Sequence, residues 1–181
     1  MASEIVLRAT SPETEWIRDR PVRKVSPTRD HSRVRAALTA ALYTWAAGRG
    51  EIGTEWRFRI EPPGEVRRPL VPDIAYVAYD KLRGFSREEL QAPPFAPSVA
   101  IEILSPGDRP ADVAAKVSDY LQSGSALVIV IDPSRRSAGL YEPGQPPRLL
   151  SGDTTLRHDA ALPGFDLPLQ AFFADALDVR P

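Results

Sequence analysis

Residues 98–131, SVAIEILSPGDRPADVAAKVSDYLQSGSALVIVI, decide the fold. Their two ends, residues 98–104 (SVAIEIL) and 126–131 (ALVIVI), are short, branched and nearly all apolar, as expected of strands covered on both faces. Between them, Pro110–Gln122 carries Val113, Val117, Tyr120 and Leu121 as an apolar helical stripe, and Gly124 stops it. A strand–helix–strand unit of this kind predicts parallel pairing with a right-handed crossover.

Working outward, Ser26-Pro27-Thr28-Arg29-Asp30 offers helix-start signals. Residues 30–47 then place Val34, Ala37, Leu38, Ala41, Leu42 and Trp45 on one face of a helix, ended by Gly48 and Gly50. Residues 52–60 read as one strand, with Trp56, Phe58 and Ile60 alternating against Glu55, Arg57 and Arg59. Pro62-Pro63-Gly64 is a turn, and residues 66–78 include a further strand broken near its start by Pro69 and Pro72. Residues 80–97 form a charged connection with a short helix near 87–91. After the Asp132-Pro133-Ser134 turn come a strand at 138–142, two short segments (Leu149-Leu150 and Thr155-Leu156) flanking a Gly152-Asp153 turn, and a closing helix over 165–176. The expected whole is a polar lead-in at residues 1–24 followed by one α/β domain, residues 25–181, with a mixed β-sheet flanked by helices.

The composition narrows the chemistry. At 181 residues, 43% hydrophobic and 26% charged, the chain suits an ordinary globular domain. No cysteine is present, which excludes a disulfide scaffold, a cysteine zinc site, an iron–sulfur site and a thiol nucleophile. His31 and His158 are the two histidines, so a Ser–His–Asp triad has few options. The longest apolar run, 126–131, is too short to span a membrane, and residues 1–16 hold early acids and no apolar core, unlike a secretory signal. These features point to the cytoplasm and away from membranes. Net charge is −1, but residues 1–70 hold 13 basic against 9 acidic residues and residues 71–181 hold 10 against 15. Among the 23 basic residues lysine is scarce: Lys24, Lys81 and Lys116.

Glu102 interrupts an otherwise apolar strand. Alternation puts it on the face of Ser98, Ala100 and Leu104, a partly buried position where an ionised carboxylate needs a cation, a metal or a proton. A salt bridge to an arginine would meet that need as well. Asp73 follows Pro72 on the preceding strand and shares a face with Val71, Ala75 and Val77, although a Pro-Asp pair also suits a plain strand entry. Asp112, Lys116 and Tyr120 lie along one helical row. Lys116 neighbours the apolar stripe, so its ammonium is expected near the sheet unless it simply pairs with Asp112 on the surface. Two carboxylates from adjacent strands suit Mg²⁺ or Mn²⁺, which would activate a water and polarise a phosphate. A nearby lysine would position that water and offset charge. Glu55 is a candidate additional acid, and Tyr120 could bond near the site or pack. His31 is expected in the first helical turn with no ligand role, and His158 in a loop. Arg57, Arg59, Arg67, Arg68, Arg29, Arg33, Arg35 and Arg49 are candidate phosphate contacts.

Pro72-Asp73, then Glu102-Ile103-Leu104-Ser105-Pro106, Asp112-x-x-x-Lys116-x-x-x-Tyr120, Gly124 and a strand ending in Asp132-Pro133 resemble the Uma-two family of restriction-like endonucleases. That family is similar to the PD-(D/E)XK nuclease superfamily. Val25-Ser26-Pro27…His31 and Leu162-Pro163-Gly164-Phe165 extend the likeness to residues 25–173. The resemblance implies a restriction-endonuclease-like core and a magnesium-dependent site that hydrolyses DNA, with Asp73 and Glu102 as metal ligands. The superfamily's lysine sits two residues after the glutamate on the same strand. Here that residue is Leu104, and the lysine of this family resembles one displaced to Lys116. The alternative is a catalytically silent nucleic-acid-binding or interaction module on the same fold; a hydrolase of another phosphate ester is a third reading. A double-strand cut would favour a homodimer.

Overall fold

The computed structural model describes residues 14–17, 20–23, 27–64 and 68–179. The expectations placed on Lys24, Val25, Ser26, Val66 and Arg67 lie outside the described residues. In chain order the elements are β1 (Thr14–Ile17), β2 (Arg20–Arg23), α1 (Arg29–Ala46), β3 (Gly50–Thr54), β4 (Phe58–Ile60), β5 (Arg68–Leu70), β6 (Ile74–Ala78) and α2 (Tyr79–Leu82). A single 3-10 turn at Glu89–Gln91 precedes β7 (Val99–Ile103), α3 (Pro110–Gln122), β8 (Leu127–Asp132), β9 (Ser137–Tyr141), β10 (Arg148–Ser151), β11 (Thr155–His158), β12 (Leu162–Pro168) and α4 (Leu169–Leu177).

Six strands form the central sheet in the order β10-β9-β8-β7-β6-β3. β7 and β8 are parallel, with Val99 beside Leu127 and Ile103 beside Ile131, and the other neighbours are antiparallel. The mixed sheet flanked by helices is therefore as expected, and so is the parallel pair joined through α3. Every residue of β7 is buried, as are Leu127–Ile131 of β8. Period-2 alternation divides the core in two. Val99, Ile101, Ile103, Leu127 and Ile129 face a layer that includes α1 (Val34, Leu38, Leu42), α4 and the β11–β12 hairpin. Ala100, Val128 and Val130 face Val117 and Tyr120 of α3, together with Phe58, Ile60 and Leu70 of the small β4–β5 sheet.

Local chemistry sets the helix ends. Thr28 caps α1, its Oγ1 accepting the His31 N–H at 3.3 Å. α3 starts with Pro110 in the first turn, where a missing N–H costs nothing.

Three expectations are corrected, and the lead-in holds two paired strands. Residues 52–60 are not one strand: the chain bends at Glu55, whose φ is +52°, so β3 joins the central sheet and β4 pairs with β5. Within the lead-in, β1 and β2 pair as a hairpin, and Ile17 is buried. Residues 162–168 are strand β12, and the closing helix begins at Leu169. His158 ends β11 instead of lying in a loop; its Nε2 stands 2.9 Å from Glu142 Oε2, and its Nδ1 accepts the Ala161 N–H.

Candidate active site

The site lies at the end of the sheet where β7 finishes and β6 begins. The β6–β7 ladder pairs Ala75 with Ala100 and Ile74 with Ile101. Asp73, one residue before β6, therefore comes beside Glu102 at the ladder's end. Both are buried, 5% and 7% exposed.

Glu102 is held from α3. Lys116 Nζ donates to Glu102 Oε2 at 2.7 Å and the Tyr120 hydroxyl donates to Oε1 at 3.2 Å. Lys116 and Tyr120 are four apart, one turn of helix, so a single face of α3 delivers both donors. Lys116 thus reaches the sheet, as its place beside the apolar stripe suggested. Tyr120 is fully buried and both packs and bonds.

Asp73 is held differently. Its Oδ2 accepts the Ile103 N–H at 2.7 Å, so the carboxylate continues the ladder where a backbone carbonyl would otherwise stand. His31 Nε2, from the first turn of α1, lies 3.3 Å from the same oxygen. His31 is buried, and its Nδ1 has no hydrogen-bond partner. Sequence reasoning placed His31 in the right turn but gave it no part in the site. A signal was present: His31 lies three residues before Val34 and seven before Leu38, at the start of the buried stripe.

Glu55 touches the site through its backbone. Its N–H donates to the Asp73 carbonyl at 3.3 Å, while its half-exposed carboxylate takes Arg35 Nη1 at 2.7 Å. The structure brings Glu102, Lys116 and Tyr120 into direct contact and joins Asp73 to the strand beside them. A second buried ion pair, Arg68 Nη2 to Asp119 Oδ1 at 2.8 Å, ties β5 to α3 one turn from Lys116. Arg68 is thus committed inside the protein and does not face a phosphate.

Most other arginines named as phosphate contacts also hold protein groups. Arg33 donates to the carbonyls of Ala176 and Asp175, Arg29 bonds Asp30 and the Leu177 carbonyl, and Arg49 bonds the Trp45 carbonyl and lies over its ring. Arg57 lies outside β4, so it shares no strand face with Arg59.

The donor set suits a hard divalent cation: carboxylate oxygens are hard ligands with more than one lone pair each, and two such groups share one end of the sheet. Among the described residues no three His, Asp or Glu side chains form a ready-made cage. Water and phosphate oxygens would complete the shell, the usual arrangement for Mg²⁺.

The sequence matches a family model described as "Uma2: Putative restriction endonuclease" over residues 3–170. No curated protein matches it. Among solved structures, the fold matches one titled as a putative nuclease belonging to DUF820 from Anabaena variabilis. The TM-score is 0.83 at 22% identity, covering 94% of this chain and 95% of that one. No helix among the described residues is long and apolar enough to cross a membrane.

Proposed function

The chain belongs to the Uma2 family, of restriction-endonuclease-like nucleases, and on that premise we propose that it is a metal-dependent endonuclease hydrolysing DNA phosphodiester bonds. Asp73 and Glu102 would hold the cation, Mg²⁺ or Mn²⁺. When bound there, the cation supplies Lewis-acid activation of the attacking water and of the phosphate. The observation that carries the reading is the 2.7 Å contact between Lys116 Nζ and Glu102 Oε2. It puts an ammonium at the strand carboxylate although the position two residues after Glu102, where the superfamily pattern has its lysine, is Leu104. Lys116 is oriented by that bond to present positive charge to a phosphate and to orient the nucleophilic water. Tyr120 fixes the other Glu102 oxygen, so the carboxylate keeps one orientation as charge develops. Asp73 is fixed by the Ile103 amide.

The test is cleavage of supercoiled plasmid by the purified chain with Mg²⁺ or Mn²⁺. Asp73→Asn, Glu102→Gln and Lys116→Met should each lower the rate by about 10²-fold or more. Equal cleavage by all four proteins would remove these residues from the chemistry. Salt-dependent DNA binding with no metal-dependent turnover would instead assign a silent nucleic-acid-binding module. Sedimentation of the chain on DNA would show whether a homodimer forms.

A further inference from the structure

α1 approaches Asp73 at two points. Through Arg35 and Glu55 it braces the Asp73 carbonyl, because Arg35 holds the Glu55 carboxylate and the Glu55 N–H is given to that carbonyl. Through His31 it reaches the carboxylate itself. The Thr28 cap seats His31 in the first turn, and β7 supplies the Ile103 amide to the same Asp73 oxygen. Packing alone does not account for an imidazole here. Its Nδ1 is buried and unpartnered, and leaving a buried polar atom unsatisfied is unfavourable. An apolar side chain of similar size would fill the same space without that penalty.

We propose that His31 is a positioning residue: its Nε2–H, within reach of Asp73 Oδ2 at 3.3 Å, fixes the carboxylate in the orientation that takes up a divalent cation. This rests on the reading of Asp73 as a cation ligand and adds to it a partner that acts through that ligand. Groups that orient a ligating side chain typically change metal affinity by about 10–100-fold when removed.

The experiment is Mn²⁺ titration followed by electron paramagnetic resonance, with no nucleic acid, on wild type, His31→Leu, His31→Gln, His31→Asn and Asp73→Asn. Glutamine carries an amide N–H to about the place of Nε2; asparagine reaches only to about Nδ1. The leucine and asparagine variants should bind Mn²⁺ about 10–100-fold more weakly, and glutamine should restore binding close to wild type. Circular dichroism melts without metal separate a folding defect from an affinity defect. If His31→Leu fails to fold, the glutamine and asparagine pair decides. Equal affinity of wild type and the folded His31 variants overturns the positioning role while leaving Asp73 as a ligand. Unchanged Mn²⁺ binding by Asp73→Asn overturns the ligand reading and this role with it.

Discussion

Glu102 and Lys116 each bury a charge that neither could bury alone, with side chains only 9% exposed. Breaking such a pair from one side leaves an uncompensated charge and costs about 3–5 kcal/mol, whereas removing both costs far less. Urea denaturation should therefore show Lys116→Met destabilised by about 3–5 kcal/mol and Lys116→Met/Glu102→Gln restored towards wild type. The sequence pointed to this pair through two independent signals, a carboxylate in an apolar strand and a lysine on an apolar stripe. Lys81, by contrast, drew no expectation from the sequence. Lys81 Nζ donates to the carbonyls of Ala96 and Gly124 at 3.0 Å each, and burial lowers its pKa against the opposing pull of Asp80. A compact ammonium fits between two carbonyls where a planar guanidinium fork would not. The roles of His31 and Arg68 were hidden because each depends on a partner distant in sequence, 42 and 51 residues away.

At the scale of elements, helices were read better than strands. α1 and α3 lie within a residue or so of their expected limits, since their stripes and end signals are local. The strand expected over residues 52–60 failed because apolar alternation runs on through the bend. Trp56 folds back over Gly53, where its Cε3 lies only 2.8 Å from the position a Cβ would take. Glu55 takes up the turn in the left-handed region, which is costly for a side chain other than glycine. Gly53→Ala should push Trp56 off the strand and lower stability by about 1–3 kcal/mol, measured by thermal unfolding with tryptophan fluorescence as the reporter. The second half of β12 was mistaken for helix for the opposite reason. Leu162, Phe165 and Leu167 are buried along an extended strand, yet Phe165, Leu169, Phe172 and Ala176 also fall at the helical spacing i, i+4, i+7 and i+11, and only pairing with β11 separates the two.

At the scale of the whole molecule, the basic N-terminal half first suggested a phosphate-facing side. Part of that charge is engaged within the protein: Arg35 and Arg68 in ion pairs with Glu55 and Asp119, and the exposed Arg29, Arg33 and Arg49 in hydrogen bonds to backbone carbonyls. Duplex DNA binding should accordingly show a shallow salt dependence, with a log–log slope of magnitude below about 3, corresponding to few phosphate contacts. Fluorescence anisotropy between low and moderate salt measures it; a steep slope would restore the basic half as a binding face. By itself, the sequence determined the α/β class, the parallel β7–β8 core and both principal helices, and it singled out Asp73, Glu102 and Lys116 as candidates, because periodicity, end signals and burial cost are carried by neighbouring residues. The tertiary structure alone decided that β4 leaves the sheet, that α1 reaches Asp73 through His31, and that Arg68 turns inward onto Asp119. Those outcomes follow from which distant groups meet, and a partner across the fold leaves no period in the chain.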